Sequence, residues 1–251
     1  MRERDDPFGR AFLDYMRDSD TQVVLERDDG YLEAHPLHGY FSGPESWPAE
    51  KLTALDSLSG RVLDVGCGAG RVALYLQDRG LDVVGIDISP GTVEVARSRG
   101  VRDVRELSFT QIGPSLGTFD AVVFAGNNLG LAGTPKRLAW MLRRLKAVTT
   151  PAAVVVADGI DPYTTTEPDH LAYHERNRSR GLPGGQIRVR VRYRQWRDPW
   201  WNLLLQSRDE LTSNIAGTGW RVRRFTDEVS GEWSPGERSS GTWAAVLERE
   251  P

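Results

Sequence analysis

Two acids and three glycines carry the chemistry that is most directly legible. In "RVLDVGCGAGRVALYL" (61–76), Asp64 stands near the end of an apolar run, and Gly66, Gly68 and Gly70 follow on alternate positions before an amphipathic run. A second acid, Asp87, closes the next apolar run, "LDVVGID". A glycine turn between a strand and a helix offers bare main chain to a ligand. A phosphate loop needs a lysine and a serine or threonine after its last glycine, but Arg71 and Val72 stand there. A dinucleotide fingerprint needs glycine at its first, third and sixth positions, and the sixth is Arg71. A nicotinamide oxidoreductase is therefore disfavoured. Asp87 falls about 20 residues after the first glycine, where a strand-end carboxylate meets ribose hydroxyls. The pattern asks for a nucleoside held by its sugar, without a full pyrophosphate turn.

The surrounding elements are of the kind that position such a turn. "RVLDV", "LDVVGID", "DVRELS", "FDAVVFAG" and "AAVVVADG" read as buried strands. Helices are expected at 71–79, from about Pro90 to Arg99, and at about 134–148. Strands alternating with helices imply a parallel sheet covered on both faces. Before it, Phe8, Phe12, Tyr15 and Met16 fall at helical spacing, and 31–48 reads as an irregular cap rich in Gly, Pro and aromatics. After it, 161–184 is polar and irregular, in part helical. "IRVRVRYRQWRDPWWNLLLQS" (187–207) alternates and then turns near Asp198-Pro199, as a hairpin does. A helix at about 208–217 and the strands "WRVRRFT" and "TWAAVLER" close the chain, the last two as antiparallel neighbours at the sheet edge.

"VLDVGCGAGR", "VVGIDIS" and "FDAVVFAGNN" together resemble the class I S-adenosylmethionine-dependent methyltransferases, over about 58–160, with 208–248 also fitting that family's sheet. The resemblance implies an α/β fold: a doubly wound, mostly parallel seven-stranded sheet with an antiparallel edge strand, plus N-terminal and inserted lid segments. It divides one domain into a cap (1–58), a cofactor-binding core (59–160), an inserted lid hairpin (161–207) and a closing helix and strands (208–251). It implies S-adenosylmethionine as cofactor and S-adenosylhomocysteine as product. Gly66 and Gly68, with Cys67 as a small filler between them, would lie against the methionine part, and Asp64 near its ammonium. Asp87 would take both ribose hydroxyls, with Ile88 beside it. Adenine contacts are expected from Leu107 and Ser108, because the family's usual acid is not evident there. Gly126, Asn127 and Asn128 would lie beside the sulfonium, or else serve as turn residues.

The acceptor side is less determined. Methyl transfer is an in-line displacement that needs alignment, exclusion of water and, for a protonated nucleophile, a base. Tyr31, Tyr40, Phe41, Trp47, Tyr163 and Trp200 lie in the expected lids and could line an acceptor pocket. Trp200 and Trp201 point to opposite faces of a strand, so only one is expected there. His174 and His38 are candidate bases, and Asp158 and Asp161 are bases or caps. His170 and His174 are one helical turn apart without further ligands, so no metal is expected. Arg188, Arg190, Arg192 and Arg194 form one face of the hairpin, read as a solvated face in preference to an anion site. A small-molecule acceptor, aromatic or acid-bearing, methylated on O or N and possibly on carbon, is expected. The alternative is a cofactor-binding scaffold without transfer.

Composition bounds the rest. At 251 residues the chain can bury a core without staples. The lone Cys67 cannot form an internal disulfide, and a reducing, cytoplasmic setting is expected. No run of about 18 apolar residues suggests a membrane span, and "MRERDDPFGR" is not a signal peptide. A net charge of −3 argues against a nucleic-acid partner. A monomer or homodimer is expected.

Overall fold

The computed structural model describes residues 6–226 and 241–250. The chain opens with α1 (Pro7–Tyr15), β1 (Gln22–Arg27), β2 (Leu32–Pro36), α2 (His38–Phe41) and α3 (Ala49–Asp56). Then follow β3 (Arg61–Val65), α4 (Arg71–Asp78), β4 (Asp82–Asp87), α5 (Pro90–Ser98), β5 (Asp103–Glu106) and β6 (Phe119–Phe124). Next come α6 (Pro135–Leu145), β7 (Thr149–Ile160), α7 (Pro168–Ser179), β8 (Gln186–Tyr193), β9 (Trp196–Arg197) and β10 (Trp201–Leu204). The described chain closes with α8 (Arg208–Ile215), β11 (Trp220–Thr226) and β12 (Thr242–Arg249).

The main sheet has seven strands in the order β11-β12-β7-β6-β3-β4-β5. β3 to β7 run parallel, and β12 runs antiparallel to both β7 and β11. The antiparallel strand is thus one place in from the edge. Central strands bury both faces, which is why Val62, Leu63, Val84, Val122 and Phe124 are all fully enclosed. The order reverses between β3 and β6, so the carboxyl ends of β3, β4 and β6 face one crevice.

A second, five-stranded sheet contains the expected hairpin as β8 and β10, and corrects the expectation of an irregular cap by placing Leu32–Pro36 in a strand. It runs β10-β8-β1-β2, with β9 paired to β8. β1 pairs antiparallel with β8, Leu25 opposite Val191, so the N-terminal segment and the insertion form one lid. Val23, Val191 and Tyr193 on one face pack against Ala11, Phe12, Leu37 and Ala69. On the other face Glu26 accepts two hydrogen bonds from Arg190 at 2.8 Å each and one from Arg192 at 3.3 Å. Two members of the arginine stripe therefore share one carboxylate.

α1 ties this lid to the core. Asp6 caps it by accepting from Gly9 N at 3.0 Å, with Pro7 in its first turn. The other Asp6 oxygen accepts from the Ser89 hydroxyl at 2.8 Å and Gly91 N at 2.9 Å, at the start of α5. The helices touch through Gly9 and Gly91, where a Cβ on Gly91 would stand 2.7 Å from the Gly9 Cα. None of the helices among the described residues is long and apolar enough to cross a membrane.

Candidate active site

The glycine turn leaves β3 and enters α4 with φ of +71° at Gly66, +55° at Gly68 and +79° at Gly70, a run that only glycine adopts without strain. Gly66 N and Cys67 N both donate to Ile86 O, at 2.8 and 3.0 Å, which straps the turn to β4. Asp87 lies beside it. Its Oδ2 accepts from Gly68 N at 3.0 Å and its Oδ1 from Ser89 N at 2.9 Å. Burial raises the Asp87 carboxyl above its ordinary value, and the amides of Ser89 and Gly68 pull it back in part. Each oxygen of an ionised carboxylate has two acceptor positions, so each can take a further donor.

Leu107 N donates to Asp87 O at 2.8 Å and carries the ledge on to β5. There Ile88, Glu106, Leu107, Ser108, Thr110 and Gln111 line an open cleft of about 300 Å³. Ile88 is 51% exposed, an apolar side chain beside an empty space. The structure brings Ile88, Leu107 and Ser108 to this cleft at the far side of Asp87 from the turn. The Ser108 hydroxyl caps a short helix by accepting from Thr110 N.

Asp64 ends at the turn, 1% exposed, and its Oδ2 has no hydrogen-bond partner. Burial lifts its carboxyl to about 7, opposed by the Arg71 and Lys51 charges. Asn128 Nδ2 donates to Val65 O at 2.9 Å and Gly66 O at 2.8 Å. It braces the turn and is committed there. Asp158, at the end of β7, accepts from Gly126 N at 2.5 Å and Asn127 N at 2.8 Å, and pairs with Lys51 at 2.9 Å. Burial alone would raise Asp158, but Lys51 and the Asn127 amide more than offset it, so the carboxyl stays below its usual range. Asp158 holds the β6 loop rather than offering a free base. Asp161 caps the segment after β7 by accepting from Tyr163 N.

The lid meets the turn at Tyr40. A Cβ placed on Gly68 would lie 3.8 Å from Tyr40 Cδ1 and 3.7 Å from Phe12 Cε2, so both rings rest on the turn. The Tyr40 hydroxyl shares a 2.8 Å hydrogen bond with His35 Nε2. His35 is 6% exposed and lies on β2 two residues from Glu33, on the face whose β1 partner Val23 packs inward. Burial, then the neighbouring His38, lowers the His35 imidazole to about 4. His35 and Glu33 are not singled out by the sequence reading. The alternation of Glu33 and His35 in "LEAHP" was the available signal, hidden by the neighbouring prolines and glycines.

Several sequence candidates lie elsewhere. His38 is exposed on α2. His174 is buried on α7 against the Tyr163 ring, with Nδ1 unpartnered. Tyr163 donates its hydroxyl to Glu210 on α8. Trp47 is 7% exposed, packs edge-on to Tyr75 and donates to the Ser42 hydroxyl. Phe41 stacks on Tyr15. Tyr31 lies under the Arg27 guanidinium and beside His170. Trp200 lies under Arg190 on the lid's outer, charged face, 4.4 Å from its guanidinium carbon. Of the tryptophan pair it is Trp201, opposite Val189, that shares the core-facing side. Cys67 is buried in the turn, its thiol pushed up chiefly by burial, as a filler and not a nucleophile. Among the described residues there is no group of His, Cys, Asp and Glu able to hold a metal ion.

The site therefore offers a buried carboxylate oxygen with no partner, a bare main-chain bend, a second carboxylate with spare acceptor positions and an apolar-edged cleft, in that order along the strand ends. S-adenosylmethionine has complementary groups in the same order: an ammonium, a methionyl chain, a ribose diol and an adenine. The donor set fits it.

Comparison with known proteins points the same way. A family model described as "Methyltransferase domain" matches residues 62–152. Demethylmenaquinone methyltransferase of Renibacterium salmoninarum is 30% identical over 191 residues, 69% of this chain and 72% of that one. Magnesium-protoporphyrin O-methyltransferase of Rhodobacter capsulatus is 40% identical over 87 residues, 32% of this chain and only 39% of the relative. Among solved structures, a SAM-dependent methyltransferase from Bacteroides fragilis in complex with S-adenosyl-L-homocysteine superposes with a TM-score of 0.80 at 24% identity, over 100% of this chain and 98% of that one. Fold and glycine turn define a Rossmann-like class I enzyme architecture. The chain belongs to the S-adenosylmethionine-dependent methyltransferase family.

Proposed function

We propose that this chain moves a methyl group from S-adenosylmethionine to an oxygen or nitrogen nucleophile of a small molecule, with activated carbon a third kind of acceptor. The observation that carries this is the Asp87 carboxylate hydrogen-bonded to the glycine turn at Gly68, with an open cleft on its far side. The main chain at Gly66 and Gly68 would hold the methionyl part, Asp64 the ammonium, Asp87 the ribose, and Ile88 with Leu107 the adenine. When bound, the cofactor supplies a methyl carbon already activated by its sulfonium.

The chain's own task is then alignment and exclusion of water. Tyr40, Phe12 and Phe8 form an aromatic roof, with Phe8 edge-on to Tyr40 at 5.3 Å and Phe12 tilted to it at 5.2 Å. Such a roof suits a sulfonium, whose charge an aromatic face attracts. Arg71, which stands where a dinucleotide turn needs its third glycine, donates to Gly39 O of the lid at 2.6 Å. Two relatives are named for acting on demethylmenaquinone and magnesium-protoporphyrin, which supports a small-molecule acceptor. A cytoplasmic setting is proposed with it, from the single reduced, buried Cys67.

The test is release of S-adenosylhomocysteine from S-adenosylmethionine across a panel of phenols, carboxylic acids and amines. Turnover with one chemical class supports the reading. Tight cofactor binding with no acceptor from any class would favour the scaffold alternative.

A further inference from the structure

α6 carries a charge pattern that the cofactor ledge does not use. Leu138, Met141, Leu142 and Leu145 bury its inner side in the core of the main sheet. Trp140 stands on the outer side, 38% exposed. Residues three and four apart are neighbours on a helix, and all four such neighbours of Trp140 are cations: Lys136, Arg137, Arg143 and Arg144. Lys146 adds a fifth just past the helix end, and all five are exposed. Among the described residues no carboxylate stands within ion-pair distance of any of them. Arg144 lies over the Trp140 ring at 5.0 Å and donates to Ile112 O at 2.8 Å, and Arg137 lies over Phe109 at 5.5 Å. These contacts order the two guanidiniums and leave their charge in place. The adjoining segment 107–118 has no charged residue. On α8, which also packs against α6, the one exposed acid is Asp209. A chain of net charge −3 thus gathers five cations around one indole.

We propose that this face of α6 docks on an anionic lipid surface, with Trp140 at the depth of the headgroups and the five cations against lipid phosphates. The contact is peripheral, since no helix among the described residues is long and apolar enough to cross a membrane. Charge complementarity selects the partner. The exposed residues of α6 include no acid, amide or hydroxyl that would fix a register. A face of one sign suits a uniformly anionic surface better than a protein or duplex whose groups are patterned. An indole among lysines and arginines is also the set that settles at a lipid–water boundary, where the ring is half in the apolar layer and the cations meet the surface charge. Asp64, Asp87 and the glycine turn take no part in this face. Lipid docking and cofactor binding are therefore separate results, and either can fail alone.

Cosedimentation of the whole chain with vesicles tests it. Binding is expected to vesicles of phosphatidylcholine and phosphatidylglycerol in equal parts, and not to phosphatidylcholine alone. Each cation near an anionic surface changes partitioning roughly fivefold. Lys136→Glu combined with Arg143→Glu is therefore expected to weaken binding by at least about tenfold, and Trp140→Ala to weaken it by a smaller factor. Arg102→Glu combined with Arg180→Glu makes the same change in net charge at exposed sites elsewhere, and is expected to keep most of the binding. Thermal melting checks that each variant is folded. No binding by the parent to the mixed vesicles would overturn the proposal. So would equal losses in the two charge-reversed pairs, which would reduce the effect to net charge, or binding to duplex DNA in preference to the vesicles.

Discussion

The Asp87 carboxylate accepts the main-chain hydrogen of Gly68 at 3.0 Å, across the 19 residues that separate the turn from the end of β4. A strand-end acid is thereby aimed into the glycine bend. A hydrogen bond to a charged group contributes about 1.5–3 kcal/mol. Asp87→Ala is expected to weaken S-adenosylhomocysteine binding roughly 10- to 100-fold, measured by calorimetry. Undiminished affinity would place the ribose elsewhere.

Asp64 links binding to a cost in stability. Its carboxyl titrates near 7 in the fold and near 3.9 when unfolded. A raised acid contributes its full stability below the unfolded value and loses it as pH rises through the folded one. The penalty is therefore absent near pH 4 and reaches roughly 3–4 kcal/mol above pH 8. Asp64→Asn is expected to raise the denaturation midpoint at pH 8, to leave it unchanged near pH 4, and to weaken binding of the ammonium-bearing cofactor. Equal effects at both pH values would refute this.

His35 has the opposite sign. Its imidazole titrates near 4 in the fold against about 6.5 in the unfolded chain. The unfolded state binds the extra proton, so stability falls as pH drops from about 6.5 to about 4, by up to roughly 3 kcal/mol. Denaturation curves of His35→Asn should lack that part of the acid slope. Parallel curves for parent and variant would show that the ring is not held neutral.

Lys51 and Asp158 are a buried pair that holds the β6 loop, with Lys51 6% exposed and 2.9 Å from its partner. Lys51→Met leaves the carboxylate without its counter-charge, a change that costs about 3–5 kcal/mol. Lys51→Met with Asp158→Asn should recover much of it, because the amide oxygen can still accept from Gly126 and Asn127. Chemical denaturation reads both. A double variant no more stable than the single one would deny the coupling.

The cofactor half of the molecule was legible because its signals are local. Strands buried on both faces leave apolar runs such as "VVGI" and "AVVF", and the turn needs glycine for its φ values. β7 nonetheless runs from Thr149 to Ile160, longer at both ends than "AAVVVADG" suggests, because β6 pairs with it at Thr149 and β12 pairs with it from Val154 to Ile160. The lid was not legible as one sheet. β1 and β8 lie more than 150 residues apart and meet only in the folded chain, in a register that runs from Val24 opposite Arg192 to Arg27 opposite Val189. α3 and most of α7 escaped because their faces are mixed. α7 buries only Tyr173, His174 and Asn177, two of them polar. Alternation separated Trp200 from Trp201 but could not say which faced inward. That was decided by Trp201 pairing with Val189 and by Arg190 covering Trp200. His35 shows the same limit, since its hydrogen bond depends on Tyr40 arriving from α2.

Titration of the chain with S-adenosylhomocysteine in a calorimeter bears most directly on the central claim that Gly66–Gly70, Asp64 and Asp87 form one nucleoside-binding ledge. One saturable site per chain is expected, with no heat from NAD or NADP under the same conditions. Absence of saturable binding, or equal binding of a dinucleotide, would contradict the account.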